Sequence, residues 1–310
     1  MKAGGNWATR VQNPADCCAT LQFSLLIKTT HFGLSPVSIA SELISLTADV
    51  CQQHVLPPVS WFHLPPENPR DHHHKKFGVL VLADGSCGFF FTRLGDSLKQ
   101  LRDKIDEKQI LGTPVLELAE GYDNDNLVKR TLGLGALNAI AQHVFRRSGN
   151  VLQDSTNPLG QLDLDTGHQV GMVGFFRPLV RMLKDQRVPV TVIEQDEGNL
   201  DYEGPVDITL DVGALKRCDR VLITASTLLN DSLDSVLANC AADARVALIG
   251  PTVGCLPDPF FARGIDVVGG SRVADLCGLK KHMEYGENWG NSVIKYCIAK
   301  KQYAGAHRLF

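Results

Sequence analysis

The sequence has 310 residues, long enough for two domains with real cores. Apolar residues make up 44% and charged residues 21%, the balance of a water-soluble globular protein. The net charge of −3 leaves no basic surface for nucleic acid, and no apolar stretch approaches the ~20 residues that cross a bilayer.

Met1 to Thr20 lacks the continuous apolar run of a signal peptide, and Phe23–Ile27 is too short for one. The nine cysteines are scattered, with Cys17 and Cys18 adjacent and no C-x-x-C pair. Such spacing argues against a disulfide framework and against a structural zinc site, and points to a reducing cytoplasm.

Residues 1–35 lack clear periodicity and read as an N-terminal extension. A first helix is expected over Pro36–His54. Val37, Ala40, Leu43, Ile44 and Val50 share a face, Ser35 is the cap and Pro36 the first helical residue. Val55–Leu64, Phe77–Ala83 and Gly88–Thr92 read as strands, with Asp84-Gly85 as a turn between the last two. Pro65–Lys76, proline-rich and then charged, is a loop. Its His72-His73-His74 run reads as solvated rather than metal-binding, because ligands must converge from a fixed frame. Helices follow over Asp96–Glu107 and Asn126–Arg147. Gly133 and Gly135 weaken the second by up to ~1 kcal/mol each, which indicates close packing.

Gly149–Asp165 is polar and irregular, a linker between a first α+β domain over 36–150 and a second domain over 151–280. Within the second, four short apolar runs alternate with helix-like stretches: Val170–Val173, Val190–Ile193, Val221–Ile223 and Val246–Ile249. That alternation predicts βαβ units and a parallel sheet. Residues 281–310 read as a closing helical tail, with Trp289, Val293, Ile294 and Ile298 on its apolar side.

In open parallel sheets ligands sit beyond the carboxyl ends of the strands. Those ends carry Gly171, Val173, Gly174 and Phe175, then Glu194, then Thr224, Ser226, Thr227 and Asn230, then Gly250, Pro251 and Thr252. Gly171 and Gly174 form part of a dinucleotide-type glycine turn, although Gln169 stands where its first glycine would be. Glu194, 20 residues beyond Gly174, is placed to accept from ribose hydroxyls. One of the hydroxyls, Ser226 or Thr227, is expected to cap a helix. A cap does not explain four polar groups together, so a shared pocket is expected. His168 is the one histidine near it. Cys255 and Cys277 are read as buried apolar cysteines rather than soft metal ligands. No H-E-x-x-H or P-loop motif and no Ser-His-Asp order is present.

Several of these stretches resemble a family of bacterial and archaeal proteins of unknown function, described as "putative heavy-metal chelation". The matching segments are Val170–Pro178, TASTLLNDSLD (Thr224–Asp234), GPTVGCLPDPFFARGIDVVGGSRVAD (Gly250–Asp275), LGTPVLELA (Leu111–Ala119) and TLGLGALNA (Thr131–Ala139). The resemblance covers about residues 75–275. It implies an α/β protein, a Rossmann-like parallel-sheet domain preceded by a smaller α+β domain similar to the enolase N-terminal domain, with a pocket between them. It implies no particular reaction.

Three functions follow as expectations. The first is a small-molecule binding or modifying protein linked to heavy-metal or metal-chelate metabolism. The second is an enzyme using a nucleotide-type cofactor, S-adenosylmethionine or NAD. The third is a non-catalytic assembly partner. The ligand type stays open between nucleotide, pterin and metal chelate, no catalytic residue is assigned, and a homo-oligomer is allowed.

Overall fold

The computed structural model describes residues 37–52, 54–66, 76–149, 152, 154–155, 161–162, 164–195 and 206–309. The His72–His74 run, Cys17, Cys18 and much of the expected linker lie outside them. The chain divides into two units, Met1–Pro36 and Val37–Phe310, and all of the described residues belong to the second.

The first half of this unit opens with helix α1 (Ile39–Cys51). Ser38, not Ser35, is its cap: Ser38 Oγ accepts from Ser41 N at 3.0 Å. Ile39, Leu43, Thr47 and Val50 fall on its buried face. Three antiparallel strands follow, β1 (Val59–His63), β2 (Phe77–Leu82) and β3 (Cys87–Phe91), in the order β1-β2-β3. The Asp84-Gly85 turn joins β2 to β3, with Gly85 at φ +87° and Asp84 Oδ1 accepting from Ser86 N. The expected Asp96–Glu107 helix is two helices, α2 (Ser97–Lys104) and α3 (Glu107–Ile110), and is followed by α4 (Val115–Glu120). Helix α5 (Leu127–Arg147) then runs for 21 residues, capped by Asn126 Oδ1 on Val128 N and Lys129 N.

Helix α5 lies against β3 with almost no intervening side chains. A Cβ added at Gly88 would stand 1.9 Å from the Gly135 carbonyl oxygen, and one added at Gly133 would stand 2.3 Å from Tyr122 N. Both helix glycines thus serve close packing.

The second half builds a seven-stranded sheet from β4 (Val170–Val173), β5 (Val190–Ile193), β6 (Asp207–Thr209), β7 (Arg220–Thr224), β8 (Arg245–Ile249), β9 (Val267–Val273) and β10 (Val293–Ala299). Its order is β10-β9-β8-β7-β4-β5-β6. Strands β4 to β9 pair in parallel, in the 3-2-1-4-5-6 order of a doubly wound sheet. Helices α6 (Arg177–Asp185), α7 (Leu233–Leu237), α8 (Asp258–Ala262) and α9 (Leu276–Glu284) complete the described helices. Along β4 the faces alternate. Val170 and Met172 join a core with Leu179, Val180 and Leu183 of α6, while Val173 joins the core that includes α5.

The tail departs from expectation. Residues 293–299 form a strand antiparallel to β9, not a helix. Leu279 and Met283 of α9, together with Trp289, return to cover Val79, Val81, Cys87 and Phe89 of the small sheet. The smaller sheet thus draws part of its core from residues beyond 275.

Candidate functional site

The order of the parallel strands reverses between β4 and β7, and at such a switch point the connections leave in opposite directions and open a crevice. Gly174 ends β4 at φ +89°, a conformation that suits glycine. A Cβ there would come within 3.0 Å of Thr224 Cγ2, so the ends of β4 and β7 touch. Thr224 Oγ1 lies 3.0 Å from Ser226 Oγ and also accepts from Ser226 N at 3.4 Å. Thr227 Oγ1 donates back to Thr224 O at 2.7 Å. The residue that caps the short 3-10 turn over Ala225–Leu228 is therefore Thr224, in place of the expected Ser226 or Thr227. Asn230 Nδ2 donates to Gln195 Oε1 at 3.2 Å, one residue past Glu194. Gly250, at φ +138°, abuts Ala225 at the end of the next strand.

Other expected residues are placed differently. Gly171 sits inside β4, and its missing side chain makes room for Leu215 and Cys218. An added Cβ would be 2.6 Å from Leu215 Cδ2. Its use is packing on the 3-10 turn over Val212–Arg217. Thr252 is 2% exposed, and its carbonyl accepts from Asn138 Nδ2 at 2.7 Å, so it faces helix α5. Val173 is buried, Phe175 is half-buried under the Arg177 guanidinium, and Pro251 is half-buried in its turn. Glu194 N donates to Thr209 O, and Glu194 Oε2 accepts from Gln195 N.

His168 lies two residues before β4, at the opposite end of that strand from Gly174. There Arg220 donates to His168 Nε2 at 3.2 Å, so Nδ1 carries the hydrogen that reaches Asp219 at 2.6 Å. Burial pushes the Asp219 carboxyl up, but hydrogen bonds from His168 and Gln169 N–H outweigh it and hold it below its ordinary value. This cluster ties strand starts together and is remote from the candidate site.

The first half of the unit reaches the loop after β7. Tyr122 Oη donates to Leu228 O at 2.9 Å, and Arg130 on α5 pairs with Asp231, which has φ +54°. Asn138 joins three elements: Nδ2 donates to Phe89 O and Thr252 O, and Oδ1 accepts from Gly254 N. The sequence reading missed Tyr122, Arg130, Gln195 and Asn138. A signal existed for Asn138, the one amide in the apolar run Leu132–Ala141.

The donors at the strand ends are hydroxyls, amides and one carboxylate, a poor match for soft or borderline metals, which favour thiolate and imidazole. Among the described residues no group of three or more His, Cys, Asp or Glu side chains could hold a metal ion. Burial pushes the Cys255 thiol up to about 12 and keeps it protonated, the opposite of what a thiolate ligand needs. Cys255 is buried as expected, whereas Cys277 is exposed. The strand ends therefore do not fit a resident heavy-metal ion.

Fold and strand ends together define a doubly wound α/β protein carrying a small antiparallel sheet. Two family models sharing the description "Putative heavy-metal chelation" match residues 157–292 and 76–141. The chain belongs to this family. An uncharacterized protein of Methanocaldococcus jannaschii is 30% identical over 162 residues, covering 52% of this chain and 60% of the relative. A crystal structure of a protein of unknown function from Pyrococcus horikoshii superposes with a TM-score of 0.62 at 20% identity. It covers 84% of this chain and 100% of its own. One from Desulfitobacterium hafniense gives 0.60 at 18% identity, covering 84% and 98%. At these identities the two structures speak to the fold alone. No described helix is long and apolar enough to cross a membrane.

Proposed function

We propose that this chain binds, and by family association acts in handling, a small molecule at the carboxyl ends of β4, β5 and β7. One observation carries most weight: Gly174, at positive φ, packs on Thr224 where the strand order reverses, and Thr224 in turn meets the Ser226 hydroxyl. The ligand we favour is a metal chelate or other organic molecule, because the donor set there suits hydrogen bonding better than a bare heavy-metal ion. The preceding half, which we take as the enolase-N-terminal-like partner, approaches the same loop through Tyr122 and Arg130. We place the protein in the cytoplasm, where unpaired thiols stay reduced, with no nucleic-acid or membrane partner.

Glu194 at the end of β5 favours a second reading, a nucleotide-type cofactor such as S-adenosylmethionine or NAD, whose ribose hydroxyls would donate to its carboxylate. Chemical-shift mapping with NAD, S-adenosylmethionine, a pterin and a metal citrate tests both. Saturable shifts at the backbone amides of Gly174, Thr224 and Ser226 are expected with at least one ligand. A nucleotide that binds equally well to Glu194→Ala removes the second reading. Saturation only at residues away from the strand ends, with all four ligands, removes the first.

A further inference from the structure

Asn230 is held in one orientation by an unambiguous donor. The backbone N–H of Ser232 can only donate, and it lies 3.2 Å from Asn230 Oδ1. Ser232 Oγ donates to the same oxygen at 2.6 Å. Oδ1 is therefore the acceptor, and the amide NH2 must point the other way. There it meets Gln195 at 3.2 Å, which in turn must present its oxygen.

The two partners come from loops on either side of β4. Gln195 follows β5, Asn230 follows β7, and the sheet order is β7-β4-β5. Strands two apart are separated by about 9–10 Å. The Asn230–Gln195 bond thus spans the end of β4, across the switch point where a doubly wound sheet takes its ligand. Gln195 is exposed, so an arriving ligand can reach and displace its side chain. Asn230 by contrast is half-buried and fixed from behind. Earlier in the same loop, Thr224 and Ser226 share one hydrogen between their oxygens, which leaves the other hydroxyl hydrogen to a further acceptor.

We propose that the Gln195 side-chain oxygen occupies, from within the chain, the place of the ligand's hydrogen-bond acceptor. The ligand, on the strand-end site proposed above, is then one that offers a carbonyl, carboxylate or phosphate oxygen to Asn230 Nδ2 and displaces Gln195. A ligand with only donors at that position is excluded, because Asn230 cannot turn its oxygen outward without abandoning Ser232.

The test uses the isotope-labelled full chain with acetamide, acetate and inorganic phosphate as acceptor probes and methylammonium as a donor-only control. The Asn230 side-chain amide signal is identified by its absence in Asn230→Asp, which keeps an oxygen for Ser232 and removes the outward donor. Acceptor probes are expected to shift that signal saturably, and methylammonium to leave it in place. Gln195→Ala is expected to tighten acetamide binding about 2- to 13-fold, the value of one uncharged hydrogen bond. Asn230→Asp is expected to weaken acetamide by a similar factor. Acetamide is uncharged, so that loss is not charge repulsion. If acceptor probes saturate the Gly174, Thr224 and Ser226 amides with one affinity in all three proteins, the displacement idea is wrong while the site stands. If no probe moves those amides, both fall.

Discussion

Two regions of this molecule are built from the same residue types and do different work. At the joint between the sheets, Gly88 and Asn138 are buried, and their neighbours are backbone atoms of other elements. At the strand ends, Gly174 and Asn230 are half-buried, and their neighbours are Thr224 and an exposed Gln195. An asparagine whose amide is consumed by three backbone groups is structural. One whose acceptor side is anchored and whose donor side meets a surface side chain is available for exchange. The partner, not the residue type, separates the two roles.

The sharpest way to break this comparison is Gly88→Val. With the Gly135 carbonyl 1.9 Å from the new Cβ, helix α5 must lift off β3. A loss above about 4 kcal/mol is expected, the range of severe core disruption, seen as absence of a cooperative unfolding transition in circular dichroism. A normal transition would mean the joint is not closed.

Asn138→Ala comes next. It strands the Phe89 and Thr252 carbonyls and the Gly254 N–H in the interior. Each orphan costs about 1–3 kcal/mol, so a drop of at least about 3 kcal/mol is expected in urea titrations. Gly174→Val should cost less, about 1–2 kcal/mol, from its positive φ and the tight approach to Thr224. Unlike Asn138→Ala, it should abolish binding at the strand ends in calorimetry.

Acid tests a third polar cluster, at the β2–β3 turn. Burial alone would raise the Asp84 carboxyl, but hydrogen bonds from His143 and from Ser86 N–H and Oγ hold it below 3.8. A depressed folded pKa stabilises the fold above the unfolded value and loses that contribution as pH falls through the folded one. Wild type should therefore lose stability below about pH 4 more steeply than Asp84→Asn, measured as urea midpoints from pH 6 to pH 2.5. Parallel curves would show that the turn does not depend on the charge. The smallest effect is expected from Asn230→Ala, about 0.5–1 kcal/mol in stability, from the half-buried hydrogen bonds that Ser232 loses. A loss comparable to that of Asn138→Ala would erase the distinction between the two asparagines.

Local pattern was enough for the strands beginning at Val170, Val190 and Arg245, for the Asp84-Gly85 turn and for helix α5, because each is specified by neighbours in sequence. Strand β6, only Asp207–Thr209, is too short to leave a period and exists through its pairing with β5. Val293, Ile294 and Ile298 suit one side of a helix equally well, and only the antiparallel register with β9 makes Val293–Ala299 a strand. The strand ends were legible as a row of small and polar residues. Which way each one faces was not. Gly171 and Gly174 are three residues apart, yet one fits Leu215 and the other Thr224. Thr224 ends β7 and Thr252 follows β8 by three residues, but Asn138, over a hundred residues away in sequence, bonds the Thr252 carbonyl and holds it inward. Strand, turn and helix type follow from contacts within a few residues, whereas facing and pairing depend on distant partners that exist only once the chain has folded.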